Sequence, residues 1–340
     1  MKAIMCETYG PPDVLQLKEV EKPTPKDHQV LVQVHAASVN TLDLALRGPF
    51  LARLLSGGLR KPKDPRVGVD LAGRVEAVGS QVTQFQVGDE VFGRGPGAFA
   101  EYACAREESL VLKPTTLSFE AAAAVPVAAL TALQGLRDHG QLQPGQQVMI
   151  HGATGGVGTF AVQIAKAFGA EVTAVCSTRN LEMVRSLGAH HVIDYTQADV
   201  TKNGQRYDLI LAVNGYHSIF AYKRALRPAG RYVMAGASHA HLYQALFQAL
   251  LLGPMLSRKG GQHLGFFLAK PTQQDLVVIK ELLEAGKVVP VIDRRYPLAE
   301  TAEALRYLEG GHAPGKVVIT VEQDSPPEQR SDQGHLGGTV

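Results

Sequence analysis

The distribution of hydrophobic positions divides this chain into two kinds of sequence. Up to about residue 120, short apolar segments such as Gln29–Val34, Gly73–Val78 and Glu90–Gly93 are separated by Gly, Pro and Asp. Short apolar segments between turn residues predict β-strands, and their incomplete alternation predicts strands that are partly buried on both faces. The first part of the chain is therefore predicted to be β-rich.

Helical sequence begins at Ser118. This residue is a suitable N-cap for the alanine-rich run Phe119–Ala124, and Pro126 is expected to end or kink that helix because it donates no backbone hydrogen bond. A second, apolar helix is predicted to continue to Leu136. We expect this change of direction to mark the entry to another domain.

Beyond Gln147, short apolar segments alternate with segments of helical periodicity. The predicted helices are Phe160–Phe168, Leu181–Leu187 and Ile219–Leu226. The five predicted strands are Val148–Ile150, Val172–Val175, His191–Ile193, Leu209–Leu211 and Tyr232–Met234. This alternation predicts an α/β fold with a parallel doubly wound sheet, whose ligand binds at the carboxyl ends of the strands.

The last third of the chain begins with an apolar helical segment, Ala240–Leu256, predicted to serve the core or a subunit interface. Its shared face is predicted to carry Tyr243, Leu246, Phe247, Leu250 and Leu251. Further elements are predicted at Gly265–Leu268, Thr272–Glu284, Leu298–Leu308 and Lys316–Val321, the last being a strand that rejoins the N-terminal part. Residues 322–340 have too few apolar side chains to pack and are predicted to be disordered.

Val148–Ala170 combines a strand, a glycine turn and a helix, which is typical of a dinucleotide site. Glycines allow a diphosphate to approach backbone N–H groups at a helix N-terminus, where the helix dipole favours an anion. The alternative is a glycine-rich turn that binds nothing. The residues predicted to contact the cofactor here are Gly152, Ala153, Thr154, Gly155, Gly156, Val157 and Gly158.

The end of the next strand indicates which dinucleotide binds. Cys176 to Arg179 contain no carboxylate that would bind a free ribose 2′-hydroxyl, and the first one is Glu182. Ser177 and Arg179 can both donate hydrogen bonds to a 2′-phosphate. The sequence therefore favours NADPH, the alternative being that Arg179 is a solvated residue that opens the next helix.

Composition excludes several classes of function. The chain has 34 Lys and Arg residues against 32 Asp and Glu residues, a net charge of +2 that gives no electrostatic reason to expect nucleic acid. Its three cysteines form no paired motif and predict reduced thiols. No apolar run is long enough to span a membrane, and no signal peptide follows Met1. We therefore expect a cytoplasmic protein with no membrane partner.

With these motifs, the chain resembles the zinc-independent medium-chain dehydrogenase/reductase family, specifically its quinone oxidoreductase branch. The similarity extends from Met1 to Val321, and the part after Phe266 is most similar to the reticulon-4-interacting oxidoreductases. Its motifs are Ser38–Asp43, Gly68–Gly73, Val87–Gly93, Phe99–Tyr102, Leu130–Ala132, the glycine loop with Ala161–Lys166, and Gly315–Val318.

The resemblance implies a GroES-like β-rich catalytic domain, residues 1–121 and 265–321, and a Rossmann domain, residues 122–264. The zinc-dependent relatives have a Cys in place of Asn40 and Gly-His-Glu in place of Gly68-Val69-Asp70, and they have a loop of four cysteines. Asn40 and Val69 cannot replace a thiolate and an imidazole as zinc ligands. No metal site is therefore expected.

The resemblance also implies roles for individual residues. Asn40 and Asp43 are expected to be catalytic, although both could instead cap a helix over Thr41–Leu46. Around the cofactor it implies Asn40, Thr131, Ser177, Arg179, Tyr195, Asn214, Phe266, Phe267 and Lys316. Tyr195 could instead be a packing residue at a strand end, and Lys316 a surface residue. The quinone-pocket tyrosines of some relatives are absent between Leu42 and Phe50.

The predicted function is an NADPH-dependent, metal-free reductase of quinones or α,β-unsaturated carbonyl compounds. An enoyl-thioester reductase is the alternative within enzymes, and a non-catalytic NADPH-binding sensor or interaction protein is the alternative from another class. A homodimer is expected, because an exposed last strand near Tyr232–Met234 would allow two sheets to join edge to edge.

Overall fold

The computed structural model describes residues 1–45, 61–236, 241–258 and 261–322. Leu46, the last residue of the first predicted helix, lies outside the described residues. Phe50, the end of the segment compared for pocket tyrosines, also lies outside them. The same is true of Ala240, the first residue of the apolar helical segment, and of residues 323–340, predicted to be disordered.

Strands from both ends of the chain form a seven-stranded sheet. They are β3 (Gln29–Val39), β4 (Asp70–Val78), β5 (Glu90–Arg94), β6 (Tyr102–Arg106), β7 (Leu110–Leu112), β14 (Ile292–Pro297) and β15 (Lys316–Thr320). The order is β14-β15-β3-β4-β5-β7, with β6 also paired to β3. A separate ribbon consists of β1 (Lys2–Cys6) and β2 (Leu15–Glu19). The predicted return of the last strand to the N-terminal part is confirmed by its pairing with β3.

The middle of the chain forms a six-stranded sheet that is parallel throughout. Its strands are β8 (Gln147–His151), β9 (Glu171–Cys176), β10 (His191–Asp194), β11 (Tyr207–Ala212), β12 (Leu226–Met234) and β13 (His263–Phe266). The order β10-β9-β8-β11-β12-β13 is that of a Rossmann fold, in which the order of strands along the sheet reverses between β8 and β11. The predicted fold class is confirmed.

Ten α-helices connect the described strands. They are α1 (Thr41–Ala45), α2 (Phe119–Ala123), α3 (Pro126–Gln134), α4 (Gly156–Ala167), α5 (Leu181–Ser186), α6 (Ile219–Ala225), α7 (Leu242–Phe247), α8 (Gly253–Arg258), α9 (Gln273–Glu284) and α10 (Thr301–Glu309). Ser118 caps α2 by accepting a hydrogen bond from the Ala121 N–H at 3.2 Å. Pro126 begins α3, where its missing N–H costs nothing. Both predictions for this linker are confirmed.

The last strand of the parallel sheet differs from the sequence prediction. Tyr232–Met234 is not an exposed edge, because Arg231 to Met234 pair with β13 on the other side. The boundary predicted after residue 264 consequently falls within β13. The following helix, α9, also packs on α3, and its buried Leu276 and Ile279 belong to the core around the parallel sheet. The division into two domains stays a prediction, and these contacts favour a boundary closer to β14.

The apolar segment between β12 and β13 is only partly buried. It forms α7, a π-helical turn at Gln248–Leu252, and α8. Leu246 packs partly against the core, whereas Phe247, Leu250 and Leu251 are 59%, 52% and 56% exposed, so the predicted common face is divided between core and surface. None of the helices in the described part of the chain has the length and hydropathy needed to cross a bilayer.

Candidate active site

The loop after β8 connects the centre of the parallel sheet to the start of α4. Gly152 has a φ of +93°, and a Cβ there would lie 2.8 Å from the backbone N of Asn214. A Cβ on Gly158 would lie 2.1 Å from the carbonyl oxygen of Gly152, whereas a Cβ on Gly155 would meet no atom within 4 Å. Two glycines therefore permit close packing, and Gly155 leaves an open surface at the helix N-terminus.

The remaining residues of the loop divide between core and surface. Ala153 is fully buried, and its N–H donates a 3.1 Å hydrogen bond to the carbonyl oxygen of Val175 in β9. Thr154, Gly156 and Val157 are half-buried at the mouth of the loop. Backbone N–H groups at the start of α4 are thus available to an anion, and the residues present fit the diphosphate of a dinucleotide.

The seven-stranded sheet meets this loop at the start of β15. Gly155 and Gly315 form an isolated parallel β-bridge. A Cβ on Gly156 would lie 2.8 Å from Cδ of Lys316, so the aliphatic part of the lysine packs directly on the loop. Lys316 is 3% exposed, and the possibility that it is a surface residue does not hold in this structure.

Lys316 ends in a buried polar cluster that also contains Asn40 and Asp70. Its Nζ donates to Oδ1 of Asn40 at 2.7 Å and to the carbonyl oxygen of Val39 at 3.1 Å. Asn40 Nδ2 donates to Oδ2 of Asp70 at 3.0 Å, and the Lys316 Nζ lies 3.7 Å from the same oxygen. Both the oxygen and the nitrogen of the Asn40 side-chain amide therefore form hydrogen bonds within the protein.

Asp70 connects this cluster to the parallel-sheet region. Its Oδ1 accepts from the N–H of Val127 in α3 at 3.1 Å, and its Oδ2 also accepts from the Ser38 hydroxyl at 3.1 Å. Burial raises the pKa of Asp70, an effect that the Lys316 charge opposes most strongly. Burial also lowers the pKa of Lys316, which the carboxylates of Asp70 and Asp43 oppose. The two buried charges therefore stabilise each other.

Asp43 has the contacts of a helix-capping residue. It is fully buried, and its Oδ2 accepts a 2.8 Å hydrogen bond from the Asn40 N–H, which stands at the N-cap of α1. A carboxylate three residues after the N-cap that bonds back to its N–H is half of a capping box. The catalytic assignment of Asp43 stays a prediction, and the cap holds Asn40 in position at the end of β3.

Other predicted cofactor residues lie around the carboxyl ends of the strands. Thr131 is half-buried in α3, one turn after Val127, and its hydroxyl donates to the Val127 carbonyl oxygen at 2.7 Å. Asn214 is exposed after β11, beside Gly152. Phe266 ends β13, and Phe267, which follows it, is buried and stacks on His139 with a centroid distance of 4.3 Å.

The predicted 2′-phosphate residues lie at the ends of β9 and β10. Ser177 is half-buried, whereas Arg179 and Tyr195 are exposed. Nη2 of Arg179 donates to the carbonyl oxygen of His312 at 3.0 Å, which ties this region to the turn before β15. The structure thus places Ser177, Arg179 and Tyr195 in one neighbourhood, separate from the Asn40 cluster.

Two carboxylates at these sites had no role in the sequence prediction. Asp70 entered the prediction only as part of a motif compared with zinc ligands. The sequence feature that could have identified it is a charged residue at the start of an apolar strand. Asp194 ends β10, where it accepts from the hydroxyl groups of Thr178 and Thr196, which lower its pKa. The sequence feature that could have identified Asp194 is its position as a polar residue at the carboxyl end of a parallel strand.

Within residues 1–45, 61–236, 241–258 and 261–322, no group of three or more His, Cys, Asp or Glu side chains is placed to hold a metal ion. Val69 is half-buried next to Asp70, and the Lys316 ammonium stands close to Asn40. The positions compared with zinc ligands are thus held by an amide, an aliphatic side chain and a carboxylate that already accepts three hydrogen bonds.

Comparison with known proteins agrees with this geometry. Residues 26–115 match the family described as alcohol dehydrogenase GroES-like domain, and residues 187–319 match the family described as zinc-binding dehydrogenase. The mouse mitochondrial NAD(P)H oxidoreductase RTN4IP1 is 35% identical over 94% of this chain and 89% of the relative. The chain belongs to the medium-chain dehydrogenase/reductase family, in its quinone oxidoreductase branch.

Further members of the family are similar over most of their length. The tomato 2-methylene-furan-3-one reductase is 36% identical over 94% of this chain and 79% of the relative. The quinone oxidoreductase structure from Coxiella burnetii superposes with a TM-score of 0.83 at 31% identity, covering 95% of this chain and 99% of that one. This medium-chain dehydrogenase/reductase is therefore an oxidoreductase.

One solved relative carries a nicotinamide cofactor. The Escherichia coli quinone oxidoreductase complexed with NADPH superposes with a TM-score of 0.79 at 25% identity, covering 94% of this chain and all of that one. Together with the glycine loop, this similarity supports a nicotinamide cofactor for the present medium-chain dehydrogenase/reductase.

Proposed function

We propose that this enzyme is an NADPH-dependent, zinc-independent reductase that transfers a hydride to a quinone or an α,β-unsaturated carbonyl compound. The open backbone at Gly155, on the N-terminus of α4, is the observation that carries the proposal. A diphosphate needs such a surface, because a side chain there would keep it from the backbone N–H groups. The named activities of the relatives support the choice of acceptor.

The residues of the chain bind and orient both reactants. When bound, the nicotinamide supplies the hydride, and the conjugated oxygen of the acceptor spreads the incoming charge. We assign Thr131 and Asn40 to the nicotinamide side of the cleft and Asn214 to its ribose. Phe266 and Phe267 supply backbone contacts there. Because Asn40 is held by Lys316 and Asp43, its position is set before any ligand binds.

The preference for NADPH rests on the region around Ser177. The end of β9 carries no carboxylate, and Ser177, Arg179 and Tyr195 can donate hydrogen bonds to a 2′-phosphate. Asp194, at the end of β10, is a nearby acidic group, and its oxygens already accept hydrogen bonds from Thr178 and Thr196. These features favour the phosphorylated cofactor over NADH.

Zinc independence follows from the cluster around Asn40. The ammonium group of Lys316 lies 2.7 Å from Oδ1 of Asn40 and 3.7 Å from Oδ2 of Asp70. A buried cation at this distance repels a divalent cation and takes the oxygen ligands that it would need. We therefore propose that the activity needs no metal.

We propose a homodimer, and two exposed features of the parallel-sheet region support it. β13 pairs with β12 on one side and with no other described strand, so its second edge can accept a strand from another copy. Phe247, Leu251 and Met255 are exposed on the adjoining helices. Analytical ultracentrifugation should give twice the monomer mass of 36.4 kDa, and Leu251→Glu with Met255→Glu should shift it toward monomer.

A reducing compartment, and specifically the cytoplasm, is proposed from the cysteines. Cys6, Cys104 and Cys176 are all buried, and none of them forms a disulfide. Cysteines without disulfides are typical of proteins kept in a reducing environment. Cell fractionation of the tagged protein tests this assignment, and recovery in another compartment would contradict it.

The decisive experiment measures NADPH oxidation at 340 nm with quinones, enones, enals and enoyl thioesters, each with and without EDTA. We expect turnover of a quinone or enone, no loss of rate with EDTA, and a clear excess of NADPH over NADH in kcat/KM. Turnover of enoyl thioesters far above all other acceptors would select an enoyl-thioester reductase. Tight NADPH binding without oxidation by any acceptor would select a non-catalytic protein.

A further inference from the structure

Arg94 is a cation at the mouth of the cleft whose role the proposed function leaves open. It ends β5 and pairs in register with Asp70 of β4. Residues directly opposite each other in an antiparallel pair project from the same face of the sheet. Arg94 therefore projects from the face on which Asp70 contacts Asn40 and Lys316.

The alternation along β5 identifies what this face meets. Phe92 lies two residues before Arg94, so both side chains project from the same face. Phe92 packs in the core with Ala122 to Val125 and Ala128, the linker residues of α2 and α3. Helix α3, which carries Val127 and Thr131, also packs near β5. Arg94 thus points to the cleft between the seven-stranded sheet and the parallel sheet.

The guanidinium of Arg94 has no protein partner in the described part of the chain. Its Nε is buried without a hydrogen bond, and no carboxylate in residues 1–45, 61–236, 241–258 and 261–322 forms an ion pair with it. Asp70 is near enough for the Arg94 charge to oppose the rise of its pKa, but its oxygens already accept from Ser38, Asn40 and Val127.

An unpaired guanidinium that is partly removed from water costs free energy, and an anion that binds its terminal amino groups recovers that cost. We propose that Arg94 binds a carboxylate of the acceptor, so that the preferred substrates are quinones or enones bearing a carboxylate near the reducible bond. This inference rests on the proposed function and adds the acceptor class. The observation favours a ligand that is charged before hydride transfer, because the Arg94 Nε has no hydrogen-bond partner among the described residues.

The test uses two acceptors with the same enone, trans-4-oxo-2-pentenoate and its methyl ester, at pH 7 with NADPH. The measured quantity is the ratio of kcat/KM for the acid to kcat/KM for the ester. We expect Arg94→Met to lower this ratio by about tenfold to a hundredfold, the usual effect of losing a charge-assisted hydrogen-bonded pair, and Arg94→Lys to restore part of it. Arg106→Met, which removes a surface cation paired with Glu108, is the matched control and should leave the ratio unchanged.

Wild-type protein alone supplies an independent measurement in case Arg94→Met does not fold. The saturated acid 4-oxopentanoate should inhibit reduction of a neutral quinone at least about tenfold more strongly than its methyl ester, and added salt should reduce the difference. Equal inhibition by acid and ester would overturn the proposal.

Two further outcomes separate this inference from the proposed function. If Arg94→Met lowers kcat for acid and ester by the same factor, Arg94 interacts with charge that develops during transfer, and the carboxylate assignment is wrong. If wild type reduces neutral enones or quinones with no preference for the acid, the inference fails and the proposed function stands. If none of the tested acceptors leads to oxidation of NADPH by wild type, the proposed function itself fails.

Discussion

Arg179 lies at the end of the second strand of the parallel sheet, where the two large sheets approach each other. One of its amino groups donates to the carbonyl oxygen of His312, and its other N–H groups donate no hydrogen bond to the residues that the structure describes. The same residue can therefore hold the turn before β15 and bind a phosphate.

Arg179→Ala should weaken NADPH binding much more than NADH binding. Loss of a charge-assisted hydrogen bond to the 2′-phosphate should raise the Kd for NADPH by about tenfold or more, whereas NADH has no group at that position. Fluorescence titration with both cofactors measures the two effects. Equal losses for NADPH and NADH would remove Arg179 from the phosphate site and leave only its contact with His312.

His151 shows how burial determines the protonation of a single residue. It ends β8 below the glycine loop, and its Nδ1 forms a 2.8 Å hydrogen bond with the hydroxyl of Tyr222. Burial, together with the smaller effect of the neighbouring His217 charge, lowers the pKa of His151 to about 3. His151 is therefore neutral in the folded protein at pH values where it takes up a proton in the unfolded chain.

Stability should accordingly fall as the pH falls from about 6.5 toward 3, because the unfolded state then binds more protons. Above pH 6.5, His151 is neutral in both the folded and the unfolded state, and its burial then causes no pH-dependent loss of stability. Urea unfolding at pH 7.5 and 5.0 should show that His151→Gln shrinks the difference between the two unfolding free energies by about 2 kcal/mol. His28→Gln, at an exposed position, is the control, and the same pH dependence in all three proteins would contradict the assignment.

At the scale of elements, the turn between β8 and α4 uses its glycines for two different purposes. Gly152 and Gly158 allow backbone segments to approach closely, while Gly155 borders open space at the helix N-terminus. Packing and cofactor binding can therefore be separated by substitution. The aliphatic part of Lys316, from β15, packs on the same turn. The seven-stranded sheet therefore also supports the conformation of the turn.

Gly155→Val should leave the Tm close to that of wild type, because no atom lies within 4 Å of the added Cβ and the φ of −73° suits Val. The Kd for NADPH should rise by at least about tenfold, since the side chain occupies the surface assigned to the diphosphate. Gly158→Ala is the matched comparison and should lose about 1–3 kcal/mol of stability through its clash with Gly152. Unchanged cofactor affinity in Gly155→Val would argue strongly against the site.

The whole molecule is joined through buried polar groups as well as through apolar contacts. Asp70 of the seven-stranded sheet accepts from the first turn of α3, and Lys316 packs on the glycine loop. These contacts fix the seven-stranded sheet against the parallel sheet on both sides of the cleft. The relative position of the two sheets therefore depends on the charged groups of Asp70 and Lys316, which are buried away from water.

Lys316→Met should lower the free energy of unfolding by about 3–5 kcal/mol, because it leaves the buried Asp70 carboxylate without its nearest cation. Urea unfolding followed by circular dichroism is suitable, since the chain has no tryptophan. The double variant Asp70→Asn with Lys316→Met should lose much less than the sum of the two single variants. Additive losses would show that the two groups do not stabilise each other.

Local elements were accessible from the sequence to different degrees. The strand, glycine turn and helix at Val148–Ala170 were predicted because apolar periodicity, turn residues and caps are local signals. A strand was predicted at Gly265–Leu268, but its pairing with β12 was not, and Tyr232–Met234 was instead expected to be an exposed edge. The partner strand, β12, precedes β13 by a long helical segment, and periodicity carries no information about which distant strand pairs with it.

The candidate site shows the same division between local and long-range information. The sequence alone determined the fold class, the glycine turn and the family motifs, because each depends on residues close together in the chain. The tertiary structure decided that Asn40 is held between Lys316 and Asp70, that Arg179 contacts His312, and that Arg94 lies opposite Asp70 on the neighbouring strand. Such contacts join residues more than 100 positions apart or on separate strands, and only the packing of one sheet against the other brings them together.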